Sequence, residues 1–134
     1  MQSTNGIIRL NVLKADFEGV GGKLHRMHCG VHITVAGTTW KSGLAEKSGH
    51  ECHWKDKHCD IESKHAGTVM RIEGIDYETK HDKVVSEQLI GFVDLGVGTF
   101  LVPCELAIEV FKQEDHKKKM GHITIRSEFI PIPV

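Results

Sequence analysis

The chain lacks any run of about 18 apolar residues, so the sequence offers no membrane-spanning helix. Its start, MQSTNGIIRL, lacks the basic-then-apolar pattern of a secretory leader. Gln2 stands where N-myristoylation demands glycine. An excess of basic residues is missing too. The formal net charge of -1 argues against a general nucleic-acid binder, whose domain is usually strongly basic. Catalytic signatures are equally scarce: there is no Gly-x-Ser-x-Gly, no phosphate loop and no His-Glu-x-x-His. These absences point to a non-enzymatic, cytoplasmic chain. In that compartment the four cysteines, Cys29, Cys52, Cys59 and Cys104, are expected to be thiols rather than bridges.

What is present is mostly strand signal. At 134 residues the chain can bury a core without metal or disulfide staples, and 40% apolar with 26% charged residues suits a globular domain. Ile8, Leu10 and Val12 alternate, as do Val31, Ile33 and Val35 against His32 and Thr34. Further strands are expected around Trp40 (residues 38–45), over 68–76 and over 89–95. Residues 103–110 hold the best short helix candidate, with strand preferred for its second half. Residues 47–53 read as loop, 77–88 as a long polar loop and 113–119 as a charged turn. The last strand covers 122–130, and Pro131 and Pro133 bar further central pairing. Seven or eight short strands between turn signals mean a sandwich or barrel. No repeat or linker divides the chain. One domain over 1–134, with its core at about 6–132, is expected.

Five segments in order resemble the C2 domain family. Gly6 to Ala15 is similar to its first strand, and Gly22-Lys23 with 31–35 to the segment after its Gly-Lys-Ser-Asp-Pro-Tyr signature. Trp54 resembles the tryptophan of an Asn-Pro-x-Trp turn, and as a large aromatic it is expected in the core. The run Val69-Met70-Arg71-Ile72-Glu73-Gly74-Ile75-Asp76-Tyr77-Glu78, followed by Leu89-Ile90-Gly91, resembles a strand, an acidic loop and a returning strand. Gly121-His122-Ile123 resembles the closing strand. The resemblance implies an all-β, eight-stranded antiparallel Greek-key sandwich in the family's second, circularly permuted topology. Gly91 and Gly121 suit close backbone approach or a bulge.

The resemblance also implies a calcium site between two loops, and this sequence departs from it. Calcium wants six to eight oxygens. Asp76 matches one ligand and Glu78 replaces another, but Gln88 falls where an aspartate is expected. In the first loop Val20 to Lys23 offers no carboxylate, and Met27-His28-Cys29 replaces Asp-Pro-Tyr. Asp76 and Glu78 are thus residual calcium-loop acids, and no cofactor is expected. Leu24, Tyr77, Val84 and Val85 are candidate contacts at the loop tip.

Two further groups stand out. His50, Cys52, His53, His58 and Cys59 fall within ten residues, with His25, His28 and Cys29 elsewhere, but no Cys-x-x-Cys spacing marks a zinc site. If Trp54 precedes a strand, Cys59 and Ile61 point inward together. Lys117, Lys118 and Lys119 form a basic turn that could meet an anionic membrane, each lysine adding roughly 1 kcal/mol. The leading expectation is a calcium-independent C2-like module docking onto a protein partner or larger assembly. The alternatives are peripheral phospholipid binding, calcium-dependent or through the basic turn, and a zinc-stabilised β domain. No nucleic acid is expected as partner, and the sequence leaves the oligomeric state open.

Overall fold

The computed structural model describes residues 5–17, 28–45 and 51–132. Strands are β1 (Gly6–Phe17), β2 (Cys29–Val35), β3 (Thr38–Lys41), β4 (Glu51–His53), β5 (His58–Glu62), β6 (Val69–Lys80), β7 (Lys83–Gly96), β8 (Glu105–Lys112) and β9 (Asp115–Pro131). They form one antiparallel ladder in the order β3-β2-β6-β7-β8-β9-β1-β4, with β5 also on β1. β4 and β5 flank different stretches of β1, Lys14 to Asp16 and Ile7 to Asn11. They therefore act as one interrupted edge strand, which makes the fold the expected eight-stranded C2-like sandwich.

The ladder curls into two layers, β3-β2-β6-β7 over β8-β9-β1-β4/β5. Among the described residues Phe92 opposite Phe111 is the sole ladder pair joining β7 to β8. Side-chain alternation then builds the core. Ile8, Leu10, Val12, Val31, Ile33, Val35, Ile72, Ile123 and Ile125 all face inward and are buried, as the periodicity requires. Each contributes about 1.5–3 kcal/mol relative to exposure. Trp54 is buried, and its indole N–H donates to the Gly43 carbonyl at 3.2 Å. Cys59 and Ile61 point inward as expected. Gly121 has φ +136°, and a Cβ there would run into the Asp16 carbonyl. Gly91 lies against Phe111, where a Cβ would sit 3.0 Å from its carbonyl oxygen.

Several boundaries differ from the sequence expectation. Residues 77–88 are not a loop. They continue β6 and β7 as a hairpin with a bulge at Val85, closed by His81-Asp82 with φ of 51° and 63°. Both central residues are left-handed, as a tight type I′ turn needs, but the usual Asn-Gly signal is missing. The charged turn shrinks to residues 113–114, because Asp115 already starts β9. Residues 51–53 form β4 within the expected loop, and 105–112 is strand rather than helix. β3 ends at Lys41, although 42–45 still runs beside β2. Ser42 N–H donates to the Val31 carbonyl and Ala45 N–H to that of Cys29, both at 2.9 Å.

Candidate docking surface at the loop end

One end of the sandwich gathers the end of β1, the start of β2 and the β6–β7 hairpin. Cys29 pairs with Asp76, the last β6 residue that β2 covers. Beyond it β6 continues by four more residues, roughly 14 Å at 3.4 Å per residue, the first of which, Tyr77, still donates its N–H to the His28 carbonyl. Val84 and Val85 are exposed on this arm, 46% and 52%, with Lys80 and Lys83 beside them. The structure leaves both exposed where the sequence expectation places tip contacts. Leu24 lies outside the described residues, as do Val20 to Met27 and His50.

Tyr77 does not belong to the tip, which corrects the sequence expectation. It is 4% exposed. Gly30 on β2 leaves the space into which its ring packs, since a Cβ there would collide with that ring. Its hydroxyl meets His32 Nε2 at 2.8 Å. Burial, and then the charge of Glu87, pushes the phenol's pKa upward. Burial first of all pushes the His32 pKa downward. This pair escaped the sequence reading because His32 alternates with core residues and so reads as solvent-facing. The signal available was Gly30, two positions away, which makes room for an aromatic ring.

The residual acids are engaged within the hairpin and its neighbour. Asp76 is 4% exposed and its Oδ1 accepts the His28 backbone N–H at 3.2 Å. Glu78 Oε2 accepts the Ser86 hydroxyl at 2.9 Å. Gln88 sits opposite Asp76, while neighbouring Glu87 takes Lys41 Nζ at 3.2 Å. Among the described residues no three His, Cys, Asp or Glu side chains gather as a metal site.

The cysteines depart from expectation. Cys29 and Cys52 form a disulfide, with Cα atoms 6.3 Å apart. Their strands, β2 and β4, belong to opposite layers and meet at the open side of the sandwich. Nothing in a sequence separation of 23 announces that meeting. Cys59 and Cys104 are free, and burial pushes the Cys59 thiol up to about 12. Of the nearby histidines, His53 contacts Glu51 at 3.1 Å and His58 lies 4.0 Å from Asp60.

The lysine run is a strand rather than a turn. Lys117, Lys118 and Lys119 lie in β9, but the pairing with β8 jumps from Phe111–Lys119 to Lys112–Asp115, so residues 116–118 bulge from the ladder. Lys119 pairs with Glu109 at 3.2 Å.

A second surface, at the open side, was not legible in the sequence. A cleft of about 490 Å³ separates β2 and β3 from β5. Ile33, Val35, Trp40, Cys59 and Ile61 provide its apolar lining, and Asp60, Glu62 and His65 its rim.

No protein-family model matches the chain, and no curated protein sequence matches it. Solved structures do. A C2 domain of plant Extended Synaptotagmin 1 superposes with a TM-score of 0.71 at 16% identity, covering 96% of this chain and 97% of that one. The calcium-bound pair of C2 domains of Extended-Synaptotagmin 2 gives 0.66 at 16% identity, over 92% of this chain and 45% of that one. Human GIVD cytosolic phospholipase A2 gives 0.68 at 13% identity, over 97% of this chain and 17% of that one. The fold is that of C2 domains.

Proposed function

We propose that the chain is a non-enzymatic C2-like binding module that docks onto a protein partner without calcium. The observation that carries this is the state of the two residual acids. Asp76 is buried and accepts a backbone N–H from the residue before β2, and Glu78 holds the Ser86 hydroxyl. Calcium would have to compete with those bonds and still find four or more further oxygens. The test is calorimetry with calcium, alongside capture from native lysate at low and high calcium. We expect no saturable heat at micromolar calcium and the same captured protein at both levels. Saturable heat abolished by Asp76→Asn would refute the proposal.

One observation favours a second reading, peripheral contact with an anionic phospholipid surface. The projecting hairpin carries exposed Val84 and Val85 beside lysines, the combination that suits a headgroup layer. Co-sedimentation with phosphatidylserine vesicles separates the two. Binding lost on Val84→Asp and Val85→Asp would support lipid contact through the hairpin, and binding lost on neutralising Lys117, Lys118 and Lys119 would support contact through the lysine run. No helix among the described residues is long and apolar enough to cross a membrane. The setting we propose is the cytoplasm, as a peripheral module or part of an assembly, where reducing conditions would favour the thiol form of Cys29 and Cys52.

A further inference from the structure

We infer that the cleft at the open side is a seat for an extended peptide, which adds to the edge of β5 and places alternate apolar side chains beneath β3. This rests on the protein-docking reading above and names its site. The ladder supplies the first argument. β3 ends one layer, and β5 has β1 as its strand neighbour, so its other edge is open among the described residues. An open edge presents unpaired N–H and C=O groups, and an extended backbone is the chemistry that satisfies them. β5 is five residues long, which accommodates such a segment.

The side chains supply the second argument. Trp40 pairs with Ile33 and Thr38 with Val35, so both face inward with their core partners. Yet Thr38 is exposed and Trp40 half-buried, packed against the core at one side of the cleft. Opposite them Cys59 and Ile61 form the inward edge of β5. A strand laid on β5 would send every second side chain into this slot, between Trp40 above and Ile61 beside it. At about 490 Å³ the slot is in the range that seats ligands. Charge sets the remaining positions. Among the described residues Asp60, Glu62 and His65 line the rim and no lysine or arginine does. Asp60 is held by Arg9 through two bonds of 2.9 and 3.0 Å, and Glu62 is paired with Lys64 at 3.4 Å, so both rim acids are balanced by neighbouring cations. The partner is thus a segment of alternating β-branched and neutral polar residues.

The Cys59 thiol has no part in this as a nucleophile. It lies in the apolar floor, where burial keeps it protonated.

The test uses a fluorescein-labelled peptide, Thr-Val-Lys-Val-Thr-Val-Lys, and two matched peptides. One is N-methylated at alternate amides, the other carries glutamate in place of lysine. Polarisation gives affinity, and Trp40 emission in a Trp54→Phe background reports enclosure of the cleft. We expect binding with a blue shift, and a loss of about tenfold on N-methylation, the equivalent of one or two net hydrogen bonds. Thr38→Trp, at an exposed position facing the slot, should abolish binding while melting as the parent does. The lysine and glutamate peptides should bind alike, and Glu62→Lys should favour the glutamate peptide. Equal binding of the N-methylated peptide would overturn the inference and make the cleft a site for apolar groups alone. Self-association blocked by Thr38→Trp would also overturn it, in favour of a second copy. No peptide binding, with lysate capture unaffected by Thr38→Trp, would sink the cleft but leave the docking reading standing. Vesicle binding with no captured protein would sink both.

Discussion

Reducing the Cys29–Cys52 bridge should destabilise the protein by an amount that its place in the chain sets. The bridge closes a loop of 23 residues between strands of opposite layers. In the chain-entropy description this removes freedom from the unfolded state worth ~3.4 kcal/mol at 25 °C. For a chain of 134 residues, one kcal/mol moves the melting temperature by about 3 °C, so reduction should lower it by roughly 10 °C. The assay is a thermal melt with and without a phosphine reductant, paired with alkylation of denatured protein. Two thiols, Cys59 and Cys104, should react before reduction and four after it. Both cysteines of the bridge are fully buried, so reduction of the native state should be slow and follow opening. Four reactive thiols in unreduced protein, or an unchanged melting temperature, would refute the reasoning.

Three further outcomes follow from the packing. Ile33→Ala should cost about 2–5 kcal/mol, read as a shifted denaturation midpoint at constant slope, because the side chain is fully buried. The His32 pKa is lowered on folding, so its stabilising effect is complete above the unfolded value of about 6.5 and is lost as pH falls through the folded pKa. Acid melts from pH 7 to 5 should therefore fall less steeply for His32→Gln than for the parent. Tyr77 is the sole tyrosine, and its raised pKa should appear as phenolate absorbance developing above pH 10, with stability lost there. Gly30→Ala should dislodge the ring and return that titration toward the usual range.

The layers of the sandwich were legible where alternation is clean. Val31, Ile33 and Val35 announced both a strand and its buried face, and Gly121 announced its bulge. The hairpin of β6 and β7 was not, because its turn is built from His81 and Asp82 and its residues are mostly polar on both faces. Resemblance to an acidic loop pulled the reading the same way. Asp76 stood out in sequence, but its burial depends on β2 lying beside it. The Cys29–Cys52 bridge and the cleft both arise where distant strands of opposite layers approach each other. Such proximity is a property of topology, and no local pattern encodes it.

The pairing of β1 with β9 has a consequence for how the molecule is made. Gly6 lies opposite Pro131 and Phe17 opposite Gly121, so β1 is flanked by β9 along its whole length. The 125 residues that follow Gly6, up to Pro131, must be synthesised before that pairing can finish, roughly 6–25 s at ordinary elongation rates. β5 can cover one edge of β1 earlier, over Ile7 to Asn11. The other edge waits for β9 to be made, with Ile8, Leu10 and Val12 still lacking Ile123 and Ile125 as neighbours. Folding of this chain on the ribosome therefore cannot proceed strand by strand. The nascent chain carries an apolar, half-paired β1 until β9 emerges, and that interval is when it is most exposed to aggregation.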